Sequence, residues 1–197
     1  MIKKLKENLW ELTFSIFGSE VYLLKLNKKN ILVDTGSLMN RPELKKFLKE
    51  LDLEPNDIDV VLLTHNHFDH AGNIKIFEKA KIYGAYEDFK NKKINGPLSR
   101  SLQKFDHNDE EEKKAENIIP LEELNIPEIK VIETPGHSKG SVVFYMPKEK
   151  ILFSGDTVFH RGIGRTDLPG SEPEKMQNSL DIINKLDAEL LCPGHIY

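Results

Sequence analysis

The sequence predicts an α+β fold in which two β-sheets carry helices on their outer surfaces. Three observations lead there. Strand-like runs crowd the first 35 residues and return between residues 129 and 154. Helical periodicity falls between and after them, at residues 42–51 and 171–186. No internal repeat, low-complexity tract or linker interrupts the 197 residues, so residues 1–197 are expected to form one domain. Strands that come early, mix with helices and return late fit two sheets with helices packed outside them.

Residues 9–17 are rich in apolar and β-favouring side chains and end at Gly18-Ser19. Residues 21–26 and 31–33 follow as strands, joined by a hairpin turn at Asn27-Lys28-Lys29-Asn30. Asp34-Thr35-Gly36 closes the third strand in a tight turn. Residues 42–51 read as a helix: Pro42 suits an early helical position, and Leu44, Phe47, Leu48 and Leu51 fall at i, i+3, i+4 and i+7 on one stripe. Residues 58–63 are a short apolar run of the buried-strand kind, leading directly into Thr64-His65-Asn66-His67-Phe68-Asp69-His70. Residues 74–80 read as helix and 81–85 as strand. Residues 87–117 are highly charged and read as one or two surface helices with a mobile loop. Within them Leu98, Leu102 and Phe105 are candidates to cover a substrate. Strands resume at residues 129–133, 141–146 and 151–154. Residues 171–186 read as a helix opened by a capping box of Ser171 and Glu174, with Met176, Leu180 and Ile183 on its core stripe. Leu190-Leu191 is a last short strand before Pro193-Gly194-His195.

The composition narrows the classes. With 39% hydrophobic and 30% charged residues the chain reads as soluble and globular, and it is long enough to bury a core without staples. A net charge of -4 gives no pull toward nucleic acid, whose binders are usually basic. The lysines of residues 1–10 are followed by no apolar segment, so no secretory signal is expected. No stretch approaches the roughly 18–20 apolar residues of a membrane helix. A single cysteine, Cys192, leaves no disulfide framework and fits a reducing compartment. The expectation is a cytoplasmic protein with neither nucleic-acid nor membrane partners.

Chemistry concentrates at His65-x-His67-x-Asp69-His70, four metal-capable side chains within six residues at the end of a buried strand. Burying such a cluster without a cation leaves polar groups unpaired or charges opposed. Imidazole and carboxylate together suit zinc, iron or manganese. Three more candidates stand in similar settings: His137 in Thr134-Pro135-Gly136-His137-Ser138, Asp156 in Phe153-Ser154-Gly155-Asp156-Thr157, and His195 in Cys192-Pro193-Gly194-His195. Each follows a strand and a small residue that lets the backbone bend close to a site.

The string Thr64-His65-Asn66-His67-Phe68-Asp69-His70-Ala71-Gly72-Asn73, with the His137, Asp156 and His195 turns, resembles the metallo-β-lactamase superfamily over nearly the whole chain. The string from Phe153 to Gly170, with Gly164-Arg165-Thr166-Asp167 inside it, resembles the glyoxalase II-like (hydroxyacylglutathione hydrolase-like) branch and the related sulfur dioxygenases. The resemblance implies a four-layer αββα sandwich of two mixed β-sheets flanked by helices. It also implies two divalent ions, zinc first, with iron or manganese as alternatives. His65, His67 and His137 would hold one ion; Asp69, His70 and His195 would hold the other; Asp156 would bridge them. Asp34, Arg165 and Asp167 are expected to support these residues rather than react.

Two ions roughly 3.5–4 Å apart would place a bridging hydroxide against a carbonyl carbon at neutral pH, with Asp69 as ligand and catalytic orienting group. No separate general acid stands out, which favours a thioester, whose thiolate leaves with little protonation. The expected partner is a small-molecule substrate, and a homodimer is a candidate assembly. Glyoxalase II proteins continue past the last metal histidine into a helical segment that binds glutathione. This sequence ends at Tyr197, with Ile196 where the family has glycine, so that glutathione site is expected to be missing or replaced. Alternatives remain. A sulfur dioxygenase would use one iron on His65, His137 and Asp156. A nuclease is disfavoured by the acidic balance, and a flavin-linked diiron reductase by His67 where a carboxylate would be expected. A non-catalytic metal-binding module is disfavoured because such mixed ligands usually leave an open water position. Cys192 is expected in the core and His107 in a solvated loop, and nothing in the sequence requires His160 or Tyr145 at the site.

Overall fold

The computed structural model of the chain describes residues 1–89 and 118–196. Two mixed sheets face each other. The first has seven strands in chain order: β1 (Ile2–Lys6), β2 (Leu9–Leu12), β3 (Val21–Leu26), β4 (Lys29–Val33), β5 (Val60–Leu62), β6 (Lys81–Gly84) and β7 (Ile119–Pro120). Its first four strands pair antiparallel and β4 to β7 pair parallel. The second sheet joins β8 (Lys130–Glu133), β9 (Val142–Met146), β10 (Ile151–Gly155) and β13 (Leu190–Pro193) in the order β13-β10-β9-β8. There β10 and β13 run parallel and the other pairs antiparallel. A small hairpin, β11 (Val158–Phe159) and β12 (Gly162–Ile163), stands apart.

Side-chain alternation explains why two sheets stack and helices cover them. Successive residues of a strand point to opposite faces. Tyr22, Leu24, Ile31, Val33, Val60 and Leu62 turn inward and meet Val142, Phe144, Ile151 and Phe153 of the second sheet in one buried core. Their neighbours Val21, Leu23, Leu32 and Val61 turn outward and pack on Leu44, Phe47 and Leu48 of α1 (Arg41–Glu50). On the far side Val143, Tyr145 and Leu152 pack against Ile183 of α4 (Pro173–Ile183). Strands covered on both faces carry near-continuous apolar runs, so the order helix, sheet, sheet, helix follows from the sequence. Two short helices, α2 (Phe68–Ala71) and α3 (Tyr86–Phe89), lie on connections. Among the described residues no helix is long and apolar enough to cross a membrane.

Several expected boundaries move, each for a local reason. The first predicted strand, 9–17, stops at Leu12. Beyond it Ser15 donates two hydrogen bonds to Glu43, and Phe14 packs on Phe47, which turns the chain away from the sheet. The hairpin turn narrows to Asn27-Lys28, both left-handed (φ 51° and 63°), which is the geometry a two-residue hairpin demands. Residues 74–80 do not form an α-helix. Only Ile74–Ile76 is helical, of the 3-10 kind, and the bonds Phe77 N–H to Ile74 O and Ala80 N–H to Phe77 O keep the i+3 spacing. Ser171 does not cap α4: its hydroxyl donates to the His137 carbonyl at 2.8 Å, and the helix begins at Pro173. β1 and the β11–β12 hairpin were not anticipated. The part of the 87–117 insert beyond residue 89, with Leu98, Leu102, Phe105 and His107, lies outside the described residues.

Candidate metal centre

The site gathers where strands of the two sheets end. Asp34 follows β4 and Thr64 to His70 follow β5, while Asp156 follows β10 and His195 follows β13. His137 lies between β8 and β9. Backbone bonds fix these ends against each other: Thr35 N–H to His70 O (2.7 Å), Gly194 N–H to Gly155 O (2.8 Å), and Val142 N–H to Thr64 O (2.9 Å), the last joining the two sheets. Two glycines permit the closeness. A Cβ on Gly194 would lie 2.3 Å from Asp156 Oδ1 and 2.8 Å from His70 Cε1. A Cβ on Gly155, at φ +48°, would lie 2.6 Å from Thr64 Oγ1.

All seven candidate residues come together. Their donor atoms form three overlapping groups, each within 4.8 Å: His65, His67 and His137; His65, His70 and Asp156; Asp69, His70 and His195. His65 Nε2 and His137 Nε2 approach His67 Nδ1 at 3.0 and 2.8 Å. Asp156 reaches both sides, with Oδ1 at 3.2 Å from His70 Nε2 and Oδ2 at 3.4 and 3.5 Å from His137 and His195 Nε2. Asp69 Oδ2 lies 3.5 Å from His195 Nε2.

The surroundings set the tautomers. Asp34 accepts the Thr64 amide (2.8 Å), the Thr64 hydroxyl (2.8 Å) and His70 Nδ1–H (2.8 Å). Having given its proton to Asp34, the Thr64 hydroxyl can only accept from His65, so His65 Nδ1 carries the proton and Nε2 is bare. His137 Nδ1 faces the Arg165 carbonyl at 2.7 Å, an acceptor only, so Nδ1 donates and Nε2 is the atom turned to the site. Both Nε2 atoms converge on His67 Nδ1, which has at most one proton to give. His70 Nε2 and Asp156 Oδ1 are buried and face each other at 3.2 Å, with no third partner among the described residues. Donor atoms packed this closely with too few protons to pair them all are what a cation site presents, and a donor set of five imidazoles and two carboxylates fits divalent ions.

Titration divides the cluster. Burial, then the charges of His70 and His67, drives His65 well below the usual imidazole range. Burial, then His137 and His70, holds His67 down to about 4. Burial also works to lower His70 and His195, but carboxylates reverse it: Asp156 and Asp34 raise His70 well above the ordinary value, and Asp156 and Asp69 raise His195 to about 9. Burial works to raise Asp156 and Asp69, yet His70 and His195 keep both below the ordinary carboxylate value. Protons on His70 and His195 therefore stand where cations would.

The other candidates separate clearly. Asp34 supports the cluster as described, from a left-handed conformation (φ 60°) that costs strain outside glycine. Arg165 reaches the site through its backbone carbonyl alone; its guanidinium pairs with Asp167 at the surface. Cys192 is buried in the inter-sheet core. Tyr145 faces α4, its hydroxyl donating to the Asp187 carbonyl, and His160 is exposed in the β11–β12 turn. Sequence reasoning missed Phe17, which is 53% exposed and stacks on Phe68 and His195 with centroids 6.3 and 5.9 Å apart. Phe159 meets His195 edge-on. A cleft of about 340 Å³ lined by Lys139, Glu87 and Ser171 reaches His67.

The chain is similar to known proteins in sequence and in fold. The family model described as the metallo-beta-lactamase superfamily matches residues 16–195. A probable metallo-hydrolase of Methanocaldococcus jannaschii is 34% identical over 190 residues, covering 91% of this chain and 88% of the relative. The hydroxyacylglutathione hydrolase GloC of Haemophilus influenzae is 30% identical over 185 residues, 85% of this chain and 80% of the relative. A crystal structure of a protein in a di-iron-bound form superposes with a TM-score of 0.74 at 26% identity, covering 94% of this chain and 91% of that one. With its sheets, its donor cluster and these relatives taken together, the chain belongs to the metallo-β-lactamase superfamily.

Proposed function

We propose that the protein is a metal-dependent hydrolase that cleaves a small-molecule thioester, in the manner of the glyoxalase II-like branch. The observation that carries this reading is the convergence of buried donor atoms from His65, His67, His137, His70 and Asp156, with too few protons to pair them all. In this reading His65, His67 and His137 hold one divalent ion and Asp69, His70 and His195 a second, with Asp156 shared. Two ions so held would acidify a water and polarise a carbonyl oxygen.

The chain's own residues supply the rest. Asp34 and the Arg165 carbonyl fix three imidazole tautomers before substrate arrives. Asp69, kept ionised by His195 and His70, presents a carboxylate that accepts a proton of the attacking water and holds its lone pair toward the carbonyl carbon. Phe17, Phe68 and Phe159 give the His195 side of the site an aromatic lining, and no candidate donor residue stands out as a separate general acid. A thiolate leaves without one, and this favours thioester over amide or simple ester. The likeness to a hydroxyacylglutathione hydrolase supports the same substrate class.

The test is a panel of acyl thioesters, a hydroxyacylglutathione among them, read by thiol release from protein of measured metal content. The reading expects turnover that a chelator abolishes and that Asp69→Asn lowers by roughly 10²–10⁴-fold, the usual contribution of a proton-handling group. A two-ion protein that cleaves none of the panel would overturn it. So would a one-iron protein that consumes oxygen with a persulfide, which is the dioxygenase outcome.

A further inference from the structure

We infer that Asp88 is a positioning residue for the His65, His67 and His137 group, holding two separate loops in the register that lets their imidazoles converge. The inference rests on the reading of that group as a metal site. Asp88 lies on α3, outside every motif the sequence displays, and is only 7% exposed. Its carboxylate is fully engaged, and each bond goes to a loop that carries candidate ligands. Oδ2 accepts the backbone N–H of Asn66 at 2.9 Å, and Asn66 stands between His65 and His67. The same oxygen accepts the Ser138 hydroxyl at 2.8 Å, and Ser138 follows His137. Oδ1 accepts the Gly140 N–H at 2.7 Å, further along the His137 loop. The Asp88 carbonyl then accepts the Asn66 side-chain amide at 2.7 Å.

The donors are ordered to serve a carboxylate. Ser141 Oγ accepts the Ser138 N–H at 3.0 Å and lies 2.8 Å from Ser138 Oγ. It can therefore donate to that hydroxyl, which passes its own proton on to Asp88. Space is fitted as closely: a Cβ on Gly140 would come within 2.6 Å of Asp88 Oδ1, so the loop approaches the carboxylate as only glycine allows. The arrangement mirrors Asp34, which joins the Thr64–His65 backbone to His70 on the other side. Asp34 touches a candidate ligand directly, whereas Asp88 acts through the backbone beside three of them. Asn in place of Asp88 keeps the size but turns an amide donor toward an amide or hydroxyl donor, so one bond of the bracket must open.

The experiment compares wild type, Asp88→Asn, Asp88→Glu and Ser138→Ala, each first confirmed folded by circular dichroism and thermal melting. Metal-free protein is titrated with Co²⁺ and followed by its visible spectrum. Zn²⁺ affinities are then measured by chelator competition. Wild type is expected to take up two ions. Asp88→Asn is expected to keep the ion of the Asp69, His70 and His195 group and to bind the other about 10–100-fold more weakly, the usual effect of a group that orients ligands. Asp88→Glu should restore part of that loss. Ser138→Ala leaves both backbone bonds intact, so it should weaken the same ion less, and it gives the answer if Asp88→Asn does not fold. A folded Asp88→Asn that binds both ions as wild type does, or that loses both equally, would overturn the inference. Wild-type protein that takes up no ion would instead overturn the metal reading itself.

Discussion

Asp156 stands between two groups of donors that sit side by side and are built on opposite electrostatic terms. On one side His65 and His67 are held neutral by burial first, and then by the charges of His70 and the neighbouring imidazoles. Beside them His137 is oriented by a carbonyl that gives it no charge. On the other side His70 and His195 are held protonated by Asp34, Asp69 and Asp156. The first group offers lone pairs without charge, so its hold on a cation depends on geometry. The second offers charge, so in the absence of a cation it keeps protons. Two neighbouring sites in one fold can thus be tuned apart by what each imidazole touches: a hydroxyl or a carbonyl on one side, carboxylates on the other.

The largest way to break this comparison is to remove what the groups share. Asp156→Ala takes the carboxylate from both, and we expect loss of both ions and a fall in kcat/KM on the order of 10³ or more, since metal polarisation contributes several kcal/mol to such transition states. Elemental analysis beside kinetics checks it, and a variant that loses only one ion would show that the two groups do not depend on a common ligand. Asp34→Asn is subtler. It removes the acceptor behind His70 and disturbs the Thr64 hydroxyl behind His65, so affinity should fall about 10–100-fold with the fold intact. Chelator competition reads this, and unchanged affinity would mean that Asp34 serves the backbone alone.

The pH response sharpens the comparison further. In metal-free protein His70 and His195 have pKa values above that of an unfolded histidine, so their contribution to stability is complete below about pH 6.5. It is lost as pH rises, for His195 through about 9. His65 and His67 are held neutral in the folded chain, and the unfolded chain sheds the same protons as pH passes about 6.5, so they add nothing in the upper part of that window. Divalent ions compete with the same protons, so metal affinity rises over the same range. The gap in Tm between metal-loaded and chelated protein should therefore widen from pH 6.5 to 9, by on the order of 5 °C. A constant gap would show that no protons are displaced.

Much of this was legible in the sequence, for physical reasons. The strands at 21–26, 31–33, 58–63, 141–146 and 151–154 are apolar on both faces because both faces are covered, and such runs announce a layered fold. The seven candidate donors stand in or directly after turns at strand ends, which are visible in one dimension. What was hidden depends on the third dimension. β1 carries Lys3, Lys4 and Lys6 because it is an exposed edge, so it lacks a hydrophobic pattern. Ser171 offered a capping signature, but the His137 carbonyl claims its hydroxyl. Asp88 sits in an unremarkable Tyr-Glu-Asp-Phe stretch, and its partners are 22 to 52 residues away in the chain. Phe17 acquires meaning only through Phe68 and His195.

If two electrostatically different groups each hold one divalent ion around Asp156, the two ions should part from the protein differently. Metal content per chain, measured on protein purified anaerobically without added metal and followed by stepwise removal with a chelator, tests it most directly. Two ions per chain are expected, whether zinc, iron or both, leaving in two steps of different pH dependence. A single ion that leaves in one step, or protein that folds and melts identically with no ion at all, would contradict it.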